Sequence, residues 1–173
     1  MGRKARVYSK IDEADEIIRG LCEKQPELLW AVKPNTIIVL GIENSERSEK
    51  NKTLAKIIPI KGPEKALFQI NNIAARYIIQ TYWSDWNLWS MKQKQWILLH
   101  ELLHCHPDFE RTIRHDCEDW AILLDKVGVN WTSKRDELPD LMNEDVKFNL
   151  KLLPNLEIEG EDGDEIVKDD EKE

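Results

Sequence analysis

The stretch from Ser90 to Pro107 constrains this chain most, because it specifies a helix at both ends and a metal-binding pattern inside it. Ser90 followed three residues later by Gln93 forms a capping box, and Pro107 stops the helix, which is predicted to run from Met91 to about Cys105. Within it stands His100-Glu101-Leu102-Leu103-His104, an H-E-x-x-H pattern. Residues four apart on a helix lie one above the other on the same face, so both imidazoles can meet a single ion with Glu101 beside it. All four histidines, His100, His104, His106 and His115, fall within sixteen residues.

Neutral imidazole suits zinc, and a hydrolytic zinc needs three protein ligands and one open position. His100 and His104 supply two. His115 is the first candidate for the third, since the ten residues between it and His104 allow the chain to turn back. Asp119 is the alternative third ligand, or else a carboxylate that holds a histidine ligand from behind. Asp116 and Glu118 share that supporting role or simply favour a helix N-terminus. His106, beside Pro107, reads as a surface residue, and Cys105 and Cys117 as small buried apolar ones. Glu101 is placed to act as general base, taking a proton from a zinc-activated water and passing it to a leaving amine. An oxyanion stabiliser is also required; Tyr77, Tyr82 and Arg114 are candidates, and spacing does not choose among them.

Charge narrows the partners. The net charge of −8 is that of residues 157–173 alone, which hold ten acids and two lysines, leaving 23 acidic and 23 basic residues elsewhere. A neutral body does not read as a nucleic-acid binder. The organisation expected is a single domain over residues 1–156 and an acidic, disordered tail over 157–173. Three cysteines without C-x-x-C spacing, no secretory signal and no bilayer-length apolar run point to a cytoplasmic protein without a membrane span.

Apolar periodicity predicts a helix over residues 9–32, broken near Pro26, with Ile11, Ala14, Ile17, Ile18 and Leu21 inward. Strands are predicted over 36–42, 54–60 and 76–83, with a short one over 66–70. Residues 84–89 read as a connector, and Trp83, Trp86 and Trp89 either pack the motif helix on the sheet or line a cleft. A further helix capped by Asp116 runs to Gly128, and a short one covers 138–143. The fold class is therefore α+β: a small mixed or antiparallel sheet packed on an N-terminal helix and the H-E-x-x-H helix, a zincin-like arrangement.

The run Y-I-I-Q-T-Y-W (Tyr77 to Trp83), the capped H-E-L-L-H helix and the following R-H-D-C-E-D-W (Arg114 to Trp120) together resemble the phage-type zinc metallopeptidase family. The polar segment 45–56 is similar to the region ahead of that family's strands. The resemblance implies a zinc-dependent peptidase with His100 and His104 as ligands, Glu101 as base and His115 in the third-ligand segment. It implies peptide or protein substrates and, for a phage-encoded chain, the host cytoplasm. SprT-type proteases are a more distant likeness, weakened by the neutral body and by the lack of a cysteine zinc ribbon. Two other readings of the residues are a metal-stabilised protein-binding module without catalysis and a hydrolase of a non-peptide amide. Glu101 separates the first of these from an enzyme, because a structural zinc needs no carboxylate beside its ligands.

Overall fold

Strict alternation of side chains builds a sheet with one well-buried face. The computed structural model describes residues 5–47, 53–117 and 119–154. Four strands, β1 (Tyr8–Lys10), β2 (Ile37–Ile42), β3 (Ala55–Pro59) and β4 (Tyr77–Tyr82), form a mixed sheet in the order β1-β2-β4-β3. The central pair β2 and β4 is parallel, whereas β1 and β3 pair antiparallel at the two edges. In register, Val39, Ile79 and Ile57 lie side by side and are buried. Their neighbours Leu40, Ile78 and Ile58 on the opposite face are only half-buried. The period of two in the β-branched runs thus becomes one core-facing layer.

Helix α1 (Glu13–Lys24) packs on β2 and on the motif helix, with Ala14, Ile17, Ile18 and Leu21 buried as their spacing predicts. The predicted helix over 9–32 is corrected at its start, and the break expected near Pro26 is present. Tyr8–Lys10 pairs with β2 as an edge strand, and the helix stops at Lys24, ahead of Pro26. The expected strand over 66–70 belongs instead to α2 (Gly62–Ile70), which has Pro63 in its first turn, where a missing N–H costs nothing. The 84–89 connector is also helical, as α3 (Trp83–Leu88). Gly41 is required here, since a Cβ on it would lie 2.6 Å from the Trp83 indole. That indole donates to Ser9 Oγ at 2.6 Å and ties α3 to the β1 edge.

The central element is α4 (Met91–Leu102), in which Trp96, Ile97, Leu98, Leu99 and Leu102 are buried between α1, β3 and the C-terminal segment. Its buried glutamines are satisfied: Gln95 donates to Asp140 at 3.1 Å and accepts the Leu141 amide at 2.8 Å, and Gln93 donates to the Thr132 carbonyl at 3.4 Å. Trp96 Nε1 donates to the Pro139 carbonyl at 2.8 Å. Residues 138–143 therefore form hydrogen-bonded turns around Asp140, not the short helix predicted there. The last helix, α5 (Ala121–Val127), begins later than expected and ends at Gly128, whose φ of +72° suits glycine. No described helix is long and apolar enough to cross a membrane. The tail predicted over 157–173 lies outside the described residues.

Candidate metal site

The capping box at Ser90 is present: Ser90 Oγ accepts the Gln93 amide at 3.3 Å, and Gln93 Oε1 accepts the Ser90 amide at 3.1 Å. Helix α4 ends at Leu102, shorter than predicted, and His104 follows in a tightened turn whose amide donates to the Glu101 carbonyl at 3.1 Å. His100 and His104 still project to one side, with ring centroids 5.4 Å apart.

The chain then reverses. Cys105 and Thr112 form an isolated antiparallel bridge, and the Ile113 amide donates to the His104 carbonyl at 2.9 Å. From β4, the buried Tyr77 hydroxyl donates to the Arg111 carbonyl at 2.8 Å and accepts the His106 amide at 3.0 Å. Burial pushes that hydroxyl well above its usual pKa. Tyr77 is thus corrected from a candidate oxyanion stabiliser to the tie that holds the reversal. Neither Tyr82 nor Arg114 lines the cleft described below.

The reversal delivers His115 to the other two histidines, with ring centroids 4.9 Å from His100 and 4.6 Å from His104. One ligand nitrogen from each of the three lies within 4.8 Å of the others. His115 Nε2 and His100 Nε2 face each other at 3.1 Å. Two zinc–nitrogen bonds of about 2.0–2.1 Å at a tetrahedral angle would set such nitrogens about 3.3 Å apart.

The far sides of the rings are committed elsewhere. His104 Nδ1 lies 2.6 Å from the Ile113 carbonyl, so it carries the proton and leaves the Nε2 lone pair toward the cluster. Asp119 Oδ1 stands 2.9 Å from His100 Nδ1. The distance is that of a hydrogen bond, although the ring is not turned to make a straight one. Asp119 is itself fixed by Trp131 Nε1, which donates to Oδ2 at 2.8 Å, and by the Trp120 amide, which donates to Oδ1 at 2.7 Å. Burial works to raise the Asp119 carboxyl, but contacts with His100 and Trp131 outweigh it and hold the pKa down at about 2. Burial lowers His104 to about 4 and also lowers His115, so both rings are neutral at pH 7, as metal ligands must be.

Glu101 is buried at 5 % exposure, and its Oε2 accepts the amide of Ile57 on edge strand β3 at 2.8 Å. Burial raises its pKa above the ordinary carboxylate range, against the opposing pull of His100 and the Ile57 amide. A cleft of about 300 Å3 opens over His100, Glu101, His115 and Asp119 and runs between the start of β3 and Trp131.

The remaining predicted residues divide. His106 stays out of the cluster, as expected of a non-ligand, but it is mostly covered, with Nδ1 2.9 Å from Asp108 Oδ1. Asp116 does not cap a helix directly after itself; its carboxylate reaches forward to accept the Ala121 amide at 2.9 Å, at the start of α5. Glu118 lies outside the described residues. Cys105 is buried as predicted, whereas Cys117 is exposed, with its thiol directed at the Asp119 carbonyl at 3.0 Å. The lead-in tryptophans serve packing: Trp86 is buried and lies under the Lys94 ammonium of α4, and none of the three lines the cleft.

Sequence reasoning missed Trp120 and Trp131. Trp120 is fully buried, donates to the His100 carbonyl at 3.1 Å and meets the rings of His104 and His115. Trp131 reaches the site from a short turn thirty-one residues beyond His100, and only its large apolar ring in a polar segment hinted at burial.

Three imidazoles with an open side and a carboxylate beside them have the donor chemistry of a hydrolytic metal centre. The model of the family described as "Putative phage metallopeptidase" matches residues 7–144, and the chain belongs to that family. No curated protein and no solved structure matches the chain.

Proposed function

We propose that this protein is a zinc-dependent peptidase in which His100, His104 and His115 hold the metal and Glu101 is the general base. The observation that carries the reading is the convergence of three imidazoles beside a buried carboxylate at the mouth of a cleft. The donor set fits zinc: all nitrogen, three in number, with the far nitrogen of His104 held by the Ile113 carbonyl and that of His100 lying 2.9 Å from Asp119. Zinc, when bound, supplies Lewis acidity that brings a water's pKa toward about 7 and polarises a carbonyl.

The chain's own residues do the rest. Glu101 is held by the Ile57 amide through one oxygen, and the other receives the water's proton. Its raised pKa makes it a stronger base than an exposed glutamate and suits it to return the proton to the leaving amine. Asp119 steadies His100, and Trp131 steadies Asp119. Ile113 fixes the tautomer of His104. Strand β3 is an edge strand, so an extended peptide can pair along it and pass over the metal. Family membership supports peptides or proteins as substrates. Three unpaired cysteines support a reducing, cytoplasmic setting, that of the host for a phage-encoded chain.

Cleavage of a mixed peptide library by the zinc-loaded protein, with and without chelator, tests the reading. Glu101→Gln is expected to keep zinc and fold while losing about 10² to 10⁴ in rate. Equal rates for the two proteins would exclude Glu101 as the base.

A further inference from the structure

Beyond the metal ligands and their supports, the cleft is walled by Thr53, Leu54, Ala55, Ile97, Trp131 and Thr132, none of them charged. Ala55, Ile97 and Trp131 are buried and Leu54 is half-buried, whereas Thr53 and Thr132 are exposed. The cleft therefore has an apolar floor and walls under a rim of two threonines. Its floor is also rigid. The Trp131 indole is locked by its hydrogen bond to Asp119 and lies against Trp96 and His100, with centroids 6.4 and 6.0 Å away.

The charged members of the cleft are already engaged. Glu101 is bonded to the Ile57 amide, and Asp119 is bonded to Trp131 and the Trp120 amide and lies against His100. A charged side chain entering the cleft would lose hydration without gaining a counter-charge, whereas an apolar one would leave water for an apolar wall.

We infer that this cleft is a specificity pocket that takes one uncharged, apolar side chain of the substrate, of leucine or phenylalanine size, directly beside the metal. The inference rests on the peptidase reading for its substrate, but the pocket's preference is testable without turnover. Single hydrophobic contacts of this kind discriminate by about 10- to 200-fold.

The test uses the zinc-loaded full-length protein and a series of amino-acid hydroxamates, which anchor on a metal and differ only in side chain. Calorimetry should give leucine and phenylalanine hydroxamates at least ~10-fold tighter binding than aspartate and lysine hydroxamates. Thr132→Glu, which places an acid on the rim, should raise lysine-hydroxamate affinity and erase most of that gap while leaving zinc affinity unchanged. Equal affinities across the series, preference for a charged side chain, or no binding by any hydroxamate would overturn the pocket. Peptide cleavage is read separately. Selective hydroxamate binding without hydrolysis would keep the pocket and remove the peptidase reading; hydrolysis indifferent to the side chain beside the scissile bond would do the reverse.

Discussion

Helices α4 and α2 differ in almost everything that decides how a helix is held. In α4, eight of twelve residues are buried, including a tryptophan, two glutamines and a glutamate, each polar group with a partner. In α2, none of nine residues is buried, and Leu67 and Ile70 are 60 % and 78 % exposed. Helix α4 carries His100 and Glu101 of the metal pattern, and α2 lies in the connection from β3 to β4. Packing along most of α4 fixes His100 and Glu101 before any ligand arrives; α2 has no such demand on it. The difference teaches that rigidity in this fold is concentrated where the site needs it.

The largest expected effect lies in α4. Trp96→Ala removes a fully buried ring and its hydrogen bond to Pro139 and should destabilise the fold by about 3–5 kcal/mol, measured by urea unfolding. A loss no greater than that of a surface substitution would show that α4 is not the organising helix.

Acid should come next. The His104 pKa is lowered from 6.5 to about 4, so the unfolded chain binds more protons than the folded one between those values. Stability of the metal-free protein should therefore fall as pH drops from about 6.5 towards about 4. Asp119, lowered from 3.8 to about 2, adds stability that is present above 3.8 and lost below it. Melting curves of wild type and His104→Gln across this range separate the two: the variant should show a smaller upper part of the decline, with the share of His115 remaining, and keep the lower. Identical profiles would contradict the burial argument for His104.

At the small end, Ile70→Ser in α2 should change stability by no more than about 0.5 kcal/mol, since it removes no buried contact. A drop of several kcal/mol would mean that α2 is packed more tightly than its exposure indicates.

Legibility in the sequence follows the same divide. Helix α4 was readable because its signals are local: a capping box at one end, the H-E-x-x-H spacing near the other, and Pro107 beyond. Strands β2, β3 and β4 announced themselves through β-branched runs. Strand β1 did not, because three residues of polar sequence pair with β2 only through the fold. Helix α2 was misread from the apolar run at its end, although Pro63 and Glu64 stand in its first turn as helix-start signals. Within the site, the approach of His115 depends on Tyr77, Thr112 and Ile113, and that of Asp119 on Trp131. Those are contacts between distant segments, which spacing along the chain does not encode.

The central claim is the set of ligands, and zinc affinity measured side by side for wild type, His115→Ala and Asp119→Ala tests it most directly. Wild type should bind one zinc per chain, His115→Ala should lose tight binding, and Asp119→Ala should keep one equivalent with affinity about 10- to 100-fold weaker. Loss of the metal from Asp119→Ala, with retention by His115→Ala, would contradict the account and make the carboxylate the third ligand.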